Sequence, residues 1–173
     1  MIANRARPTR TSATIASAII ALFVGTWFAK ASLPEPGGPP HRLIGQVPSR
    51  IVSMAPSITE TLFALGLGGR VVGVTRFCSF PAEVAELPRV GGHLDPNLEA
   101  ILRLRPDLVV LMTEQADLAD SLHQLGVRTL AVGDDSVEQV LDTITTLGTH
   151  CGATEQATAL VDSLQSRMQA IEN

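Results

Sequence analysis

Ser57, Cys78 and His93 are the residue types in this sequence that could pair as nucleophile and base, and two cysteines and four histidines are the types that could grip a metal. A serine nucleophile in an α/β enzyme sits on a G-x-S-x-G elbow, whose sharp turn exposes the hydroxyl. Ser57 instead follows Ala55-Pro56, and the spacing of Ser57, Cys78 and His93 gives no reason to prefer catalysis over binding. His41, His93, His123 and His150 lack metal-ligand spacing, and Cys78 and Cys151 match neither a zinc finger nor a C-x-x-C motif. The cysteines either pair in an oxidising compartment or stay separate, since distance decides and spacing does not supply it. A dinucleotide site would need G-x-G-x-x-G straight after the first strand, whereas the glycine cluster Gly66-x-Gly68-Gly69 follows the first helix.

What must position these residues is a β-α repeat. The apolar runs RIVSM, RVVGVT, DLVVLM and VRTLAV predict four strands, continuous rather than alternating, as expected when both faces of a sheet are covered. Between them lie amphipathic stretches: a helix from Ser57 with a capping box to Glu60, a short helix in PNLEAILRLR opened by Pro96, and a helix over 115–125. A second capping box, Ser136 to Gln139, starts a helix reaching Gly148 or Gly152, and from Thr154 the pattern Ala157, Leu160, Val161, Leu164, Met168, Ile171 keeps helical phase to the end. The sum predicts an α/β fold with a mostly parallel, helix-covered sheet.

Such sheets gather their functional loops at the carboxyl ends of the strands. Four segments qualify: Ala55-Pro56-Ser57, Arg76 to Phe80, Met112-Thr113-Glu114 and Gly133-Asp134-Asp135. Helix capping alone would account for Ser57 and Glu60. The stretch from Arg76 to Asp95 carries Phe77, Cys78, Phe80, Gly91-Gly92 and His93 with little room for regular structure. Its phenylalanines serve either as core anchors or as a ligand platform, and His93 is either an incidental loop residue or part of a site.

Charge and composition limit the surroundings. Arg5, Arg7 and Arg10 precede an acid-free apolar run from Ala13 to Ala29, and Ala29-Lys30-Ala31 has the small-x-small pattern of a cleavage site, so an export signal over 1–31 is expected, with an uncleaved anchor as the alternative. Residues 32–48 carry five prolines and three glycines and read as a linker. Four of the 13 basic residues precede residue 32 while all 17 acids follow it, which leaves nine bases against 17 acids, a net charge of −8. Nucleic acid is thereby excluded as a partner, for no basic stripe exists to meet phosphates.

Three segments, RIVSMAPSITETLFALGLGGRVVGVT, CSFPAEVAELPRVGG and PNLEAILRLRPDLVV, resemble in order and spacing the periplasmic binding proteins of ATP-driven importers for vitamin B12, ferric siderophores and haem, over about residues 50 to 172. The resemblance implies two α/β lobes joined by a long rigid helix, with ligand in the cleft between them. On that pattern 49–153 is the N-terminal ligand-binding lobe, 154–173 begins the inter-lobe helix, and the C-terminal lobe is absent. It places Phe77, His93 and Met112 at cleft positions beside Ser57 on the rim, and it likens Glu99 to an acidic residue offered to arginines of the membrane permease. The implied protein is periplasmic, captures a metal chelate without catalysis or a resident cofactor, and delivers it to an ABC permease. Trp27 lies in the leader and no Tyr is present, so the later part has only Phe63, Phe77 and Phe80 as flat faces, and corrinoid, siderophore and haem all stay open. An exported α/β enzyme and a stand-alone interaction module are the rival readings.

Overall fold

The computed structural model describes residues 46–172. The expected signal segment and most of the expected linker lie outside the described residues. Four strands form one sheet: β1 (Ile51–Ser53), β2 (Val71–Val74), β3 (Leu108–Met112) and β4 (Thr129–Val132). Their order is β2-β1-β3-β4 and every pairing is parallel, with Ile51 opposite Leu108 and Val109 opposite Thr129. The helices are α1 (Pro56–Ala64), α2 (Leu98–Arg103), α3 (Ala116–Gln124), α4 (Val137–Cys151) and α5 (Thr154–Glu172). Among the described residues no helix is long and apolar enough to cross a membrane.

Alternation along the central strands divides the core into two layers. Ile51, Leu108, Val110 and Met112 pack with Ile58 and Leu62 of α1, Ile144, Leu147 and Cys151 of α4, and Ala157 of α5. Val52, Val109 and Leu111 face the other way, onto Ile101 of α2 and Leu118 and Leu122 of α3. This is why the strands read as unbroken apolar runs: neither face meets water. Each fully buried Leu, such as Leu62 or Leu147, contributes roughly 1.5–3 kcal/mol of burial.

Helix boundaries follow local chemistry and correct three sequence expectations. Proline takes the first position of α1, because its missing N–H and fixed φ suit a first turn. The cap is therefore Ala55, and Ser57 lies inside the helix with no capping hydrogen bond, so the expected box with Glu60 does not form. At α2 Pro96 stands outside the helix, and the cap is Asn97, whose side chain accepts from Ala100 N–H at 2.9 Å. The box at α4 forms only in part: Ser136 Oγ accepts from Gln139 N–H at 3.2 Å, whereas Gln139 Oε1 turns to Asp135 N–H at 2.8 Å. Helix α1 ends as the glycine cluster suggested, with Gly66 at φ 74° and the Leu67 N–H on the Leu62 carbonyl at 2.9 Å.

Two further contacts frame the fold. Asp107, just before β3, accepts from Ser49 N–H and Oγ, both at 2.8 Å, and from Arg50 N–H at 3.0 Å, which fastens the entering chain. These bonds to the charged form outweigh the upward push of partial burial, and the Asp107 carboxyl lies below its ordinary range. Helices α4 and α5 meet closely because Gly148 has no side chain: a Cβ there would lie 2.3 Å from Ala157 Cβ.

Candidate functional site

The strand order reverses direction between β1 and β3, so the carboxyl edge of the sheet at that switch point is where loops splay apart and leave a crevice. Four segments bound it: the start of α1, the β2–α2 loop, the β3–α3 corner and the β4–α4 loop. The first and last are joined directly, since Ser57 Oγ donates to Asp134 Oδ2 at 2.9 Å across 77 positions of chain. Ser57 and Met112 both line a small recess with Thr61, Gly133, Asp134 and Thr143. Ser57 is exposed, but Met112 is 4% exposed and packs into the core beneath α1 and α4.

The β2–α2 loop is more ordered than its sequence suggested. It contains a 3-10 turn over Ala82–Glu86 and a bridge from Val74 to Arg89, with Arg89 guanidinium bonds to the carbonyls of Thr75 and Cys78. Cys78 is buried at 2%, not exposed as its loop position implied, and its Sγ lies 3.2 Å from the hydroxyls of both Thr59 and Thr75. Ser53 Oγ, 2.8 Å from Thr59 Oγ1, completes a buried polar cluster. Anchoring Cys78 inward leaves its neighbours outward: Phe77 is 60% and Phe80 66% exposed. Of the two roles open for these rings, core anchor is ruled out by that exposure. Arg76 lies over the Phe77 ring at 5.1 Å and pairs with Asp95, whose carboxyl is held below its usual range by that guanidinium.

The tip of the loop is a tight turn, with Gly92 N–H on Asp95 C=O at 3.2 Å and Asn97 N–H on Val90 C=O at 2.9 Å. His93 sits there half-buried, its Nε2 4.0 Å from Glu114 Oε1 on the β3–α3 corner. Behind it Gln115 bonds the His93 carbonyl. Glu99 lies in the first turn of α2, fully at the surface and 2.6 Å from Arg103, apart from the contacts that join the rim. Cys78 and Cys151 are both buried and unpaired, and burial pushes the Cys151 thiol up to about 11. Among the described residues no three His, Cys, Asp or Glu side chains gather closely enough to hold a metal ion.

Sequence reasoning located the segments but missed three participants. Arg76 and Asp95 pair across 19 positions, and Gln115 reaches back 22; neither separation leaves a periodic trace. Leu94, 90% exposed at the tip, could have been found as an apolar residue stranded among Gly, His, Asp and Pro.

A parallel sheet with an open switch-point rim is shared by many binding proteins and enzymes, so the fold alone does not name the family. The model of a family described as "Periplasmic binding protein" matches residues 51–173. The chain belongs to the periplasmic binding protein family. An ABC transporter substrate-binding lipoprotein of Bacillus subtilis, YvrC, is 38% identical over 134 residues, covering 75% of this chain and 42% of that protein. The vitamin B12-binding protein of Vibrio cholerae is 32% identical over 123 residues, covering 69% of this chain and 44% of its own. Among solved structures, a periplasmic haem-binding protein from Pseudomonas aeruginosa superposes with a TM-score of 0.67 at 28% identity, over 71% of this chain and 45% of that one. This periplasmic binding protein chain thus spans less than half the length of the curated relatives it matches.

Proposed function

We propose that the chain is the N-terminal lobe of an extracytoplasmic substrate-binding component of an ABC importer, and that it captures a metal chelate of the corrinoid, ferric siderophore or haem class. The observation that carries this is the pair of outward-facing rings, Phe77 and Phe80, held on the same anchored β2–α2 loop as His93 at the carboxyl edge of the sheet. Flat apolar faces with a few polar groups between them suit a planar chelate, and a bland surface loop would bury such rings. Similarity to vitamin B12- and haem-binding proteins supports the ligand class. In this reading Ser57, Phe77 and His93 face ligand, while Met112 supports the wall from beneath. Residues 154–172 begin the helix toward a second lobe, and Glu99, exposed on α2, offers its carboxylate to a permease after exchanging Arg103 for a partner's cation. The mechanism is capture and delivery. An exported thiol enzyme is disfavoured by the burial of Cys78.

A pocket that encloses its ligand needs both walls, so this chain alone should bind weakly. Titration of the isotope-labelled chain with hemin, aquocobalamin and ferrichrome tests the reading by amide resonances. At least one chelate is expected to shift residues 77–80, 93–95 and 134 while leaving Arg50 and Arg105, at the opposite edge, unmoved. Absence of any response, or shifts confined to the opposite edge, defeats the proposal.

A further inference from the structure

Gln115 is 7% exposed at the start of α3, and its side chain joins the β3–α3 corner to the tip of the β2–α2 loop, beside the longer His93–Glu114 approach at 4.0 Å. Its Oε1 accepts from Met112 N–H at 3.1 Å and its Nε2 donates to the His93 carbonyl at 3.0 Å. The partners dictate the orientation of the carboxamide, because an N–H must meet the oxygen and a carbonyl must meet the nitrogen. The backbone of Gln115 already completes the corner by itself: its N–H bonds Met112 C=O at 2.9 Å, and its C=O accepts from Ala119 N–H at 3.1 Å. Helix α3 therefore does not need the side chain to begin. What the side chain does is link the end of β3 to the tip of the β2–α2 loop, 22 residues away.

We propose that Gln115 is a positioning residue for the rim, a strut that sets the gap between the β2–α2 tip and the β3–α3 corner and holds the His93 ring beside Glu114. Its bearing on ligand capture rests on the function proposed above. The tip has few other restraints in that direction. Leu94 projects into solvent, the N–H groups of Gly92 and Asn97 bond the Asp95 and Val90 carbonyls, and the Arg76 guanidinium on Asp95 ties the tip to the end of β2 rather than to the β3–α3 corner. Both polar ends of the amide are buried and satisfied, so the strut has a single length and cannot relax by turning to water.

Two near-isosteric variants separate its two bonds. Gln115→Met removes both; Gln115→Glu, at mildly alkaline pH, keeps an acceptor for Met112 N–H but sets an oxygen against the His93 carbonyl. In the ligand-free chain, amide exchange at Met112 is expected to quicken about fivefold in Gln115→Met and to stay near the parent rate in Gln115→Glu. Nuclear Overhauser contacts between the His93 ring and the Glu114 side chain are expected to vanish in both. With hemin or aquocobalamin, the shift at His93 seen in the parent should shrink in both variants, and Gln115→Met should add nothing in a His93→Ala background. Ring contacts that persist in both variants, even with a lowered Tm, overturn the strut and leave Gln115 merely stabilising. Lost ring contacts with an unchanged chelate response overturn its bearing on capture. A parent chain that answers neither chelate counts against the capture reading, and the strut is then upheld or overturned by the ring contacts alone.

Discussion

The exposure of Phe77 and Phe80 is explained by the buried anchor between them, so that anchor is the place to press. Thr59→Val replaces a hydroxyl by a methyl of nearly the same size at a position with no solvent exposure. Thr59 Oγ1 lies 2.8 Å from Ser53 Oγ, 3.0 Å from Ala55 O and 3.2 Å from Cys78 Sγ. Ser53 retains Ala55 O at 3.1 Å and Cys78 retains Thr75, so no neighbour is left wholly without a partner, and the loss of hydrogen bonding stays near 1 kcal/mol, at roughly the average for one bond. The new methyl, however, meets oxygen and sulfur at distances too short for carbon, an overlap of several tenths of an ångström that adds about 1–2 kcal/mol. The total, about 2–3 kcal/mol, corresponds to a Tm lower by roughly 8–12 °C for a domain of this size. Calorimetry of parent, Thr59→Val and Thr59→Val with Cys78→Ala tests it. The double variant should lose less than the sum of the single ones, since removing sulfur relieves part of the crowding. A Tm within two degrees of the parent, with scaling of about 4 °C per kcal/mol, would refute the claim that this cluster sets the loop.

Other consequences are more compact. Gly148→Ala, which in an open helix would stabilise by about 1 kcal/mol, should instead destabilise by about 1–2 kcal/mol in a denaturant titration, because its Cβ meets Ala157 at 2.3 Å. Asp107 has a depressed pKa when folded, so its contribution is present above the unfolded value near 3.9 and disappears as pH falls through the lower folded value; Asp107→Asn should flatten that part of the acid limb of a stability–pH curve. Cys151, with its thiol pushed up to about 11 and no exposure, should resist disulfide reagents at neutral pH until the chain is unfolded. Glu99→Arg should leave chelate responses unchanged yet impair uptake in cells carrying the importer, and normal uptake would remove Glu99 from the docking surface.

The sheet and its helices were legible because periodicity is a local property. Unbroken runs such as DLVVLM announce a strand covered on both faces, and α3, expected over 115–125, spans Ala116–Gln124. Caps were less legible, since Ser57 and Pro56 compete for the start of α1 and the sequence motif does not rank them. Proline wins because it needs no partner for an N–H it lacks, while the serine hydroxyl is drawn off to Asp134, a residue 77 positions away.

The site itself was legible as segments and much less so as side chains, and β3 shows the reason. Knowing that a strand ends at Met112 says that the chain reaches the rim there; which face each residue takes depends on the helices laid on the sheet. Alternation places Val110 and Met112 against α1 and α4, so Met112 is core, and Thr113 and Glu114 are the first residues released to the surface. The same logic runs the other way in the β2–α2 loop, where the inward turn of Cys78 leaves Phe77 and Phe80 outside, although sequence alone left the aromatics open between core and rim. What sets the exposure of these rim residues is therefore the polar side chains that pin loops from beneath, Thr59, Thr75, Ser53 and Gln115, whose partners lie between 3 and 22 positions away. Under the proposed capture function, chelate preference should respond to changes at these hidden positions as strongly as to changes at Phe77 and Phe80.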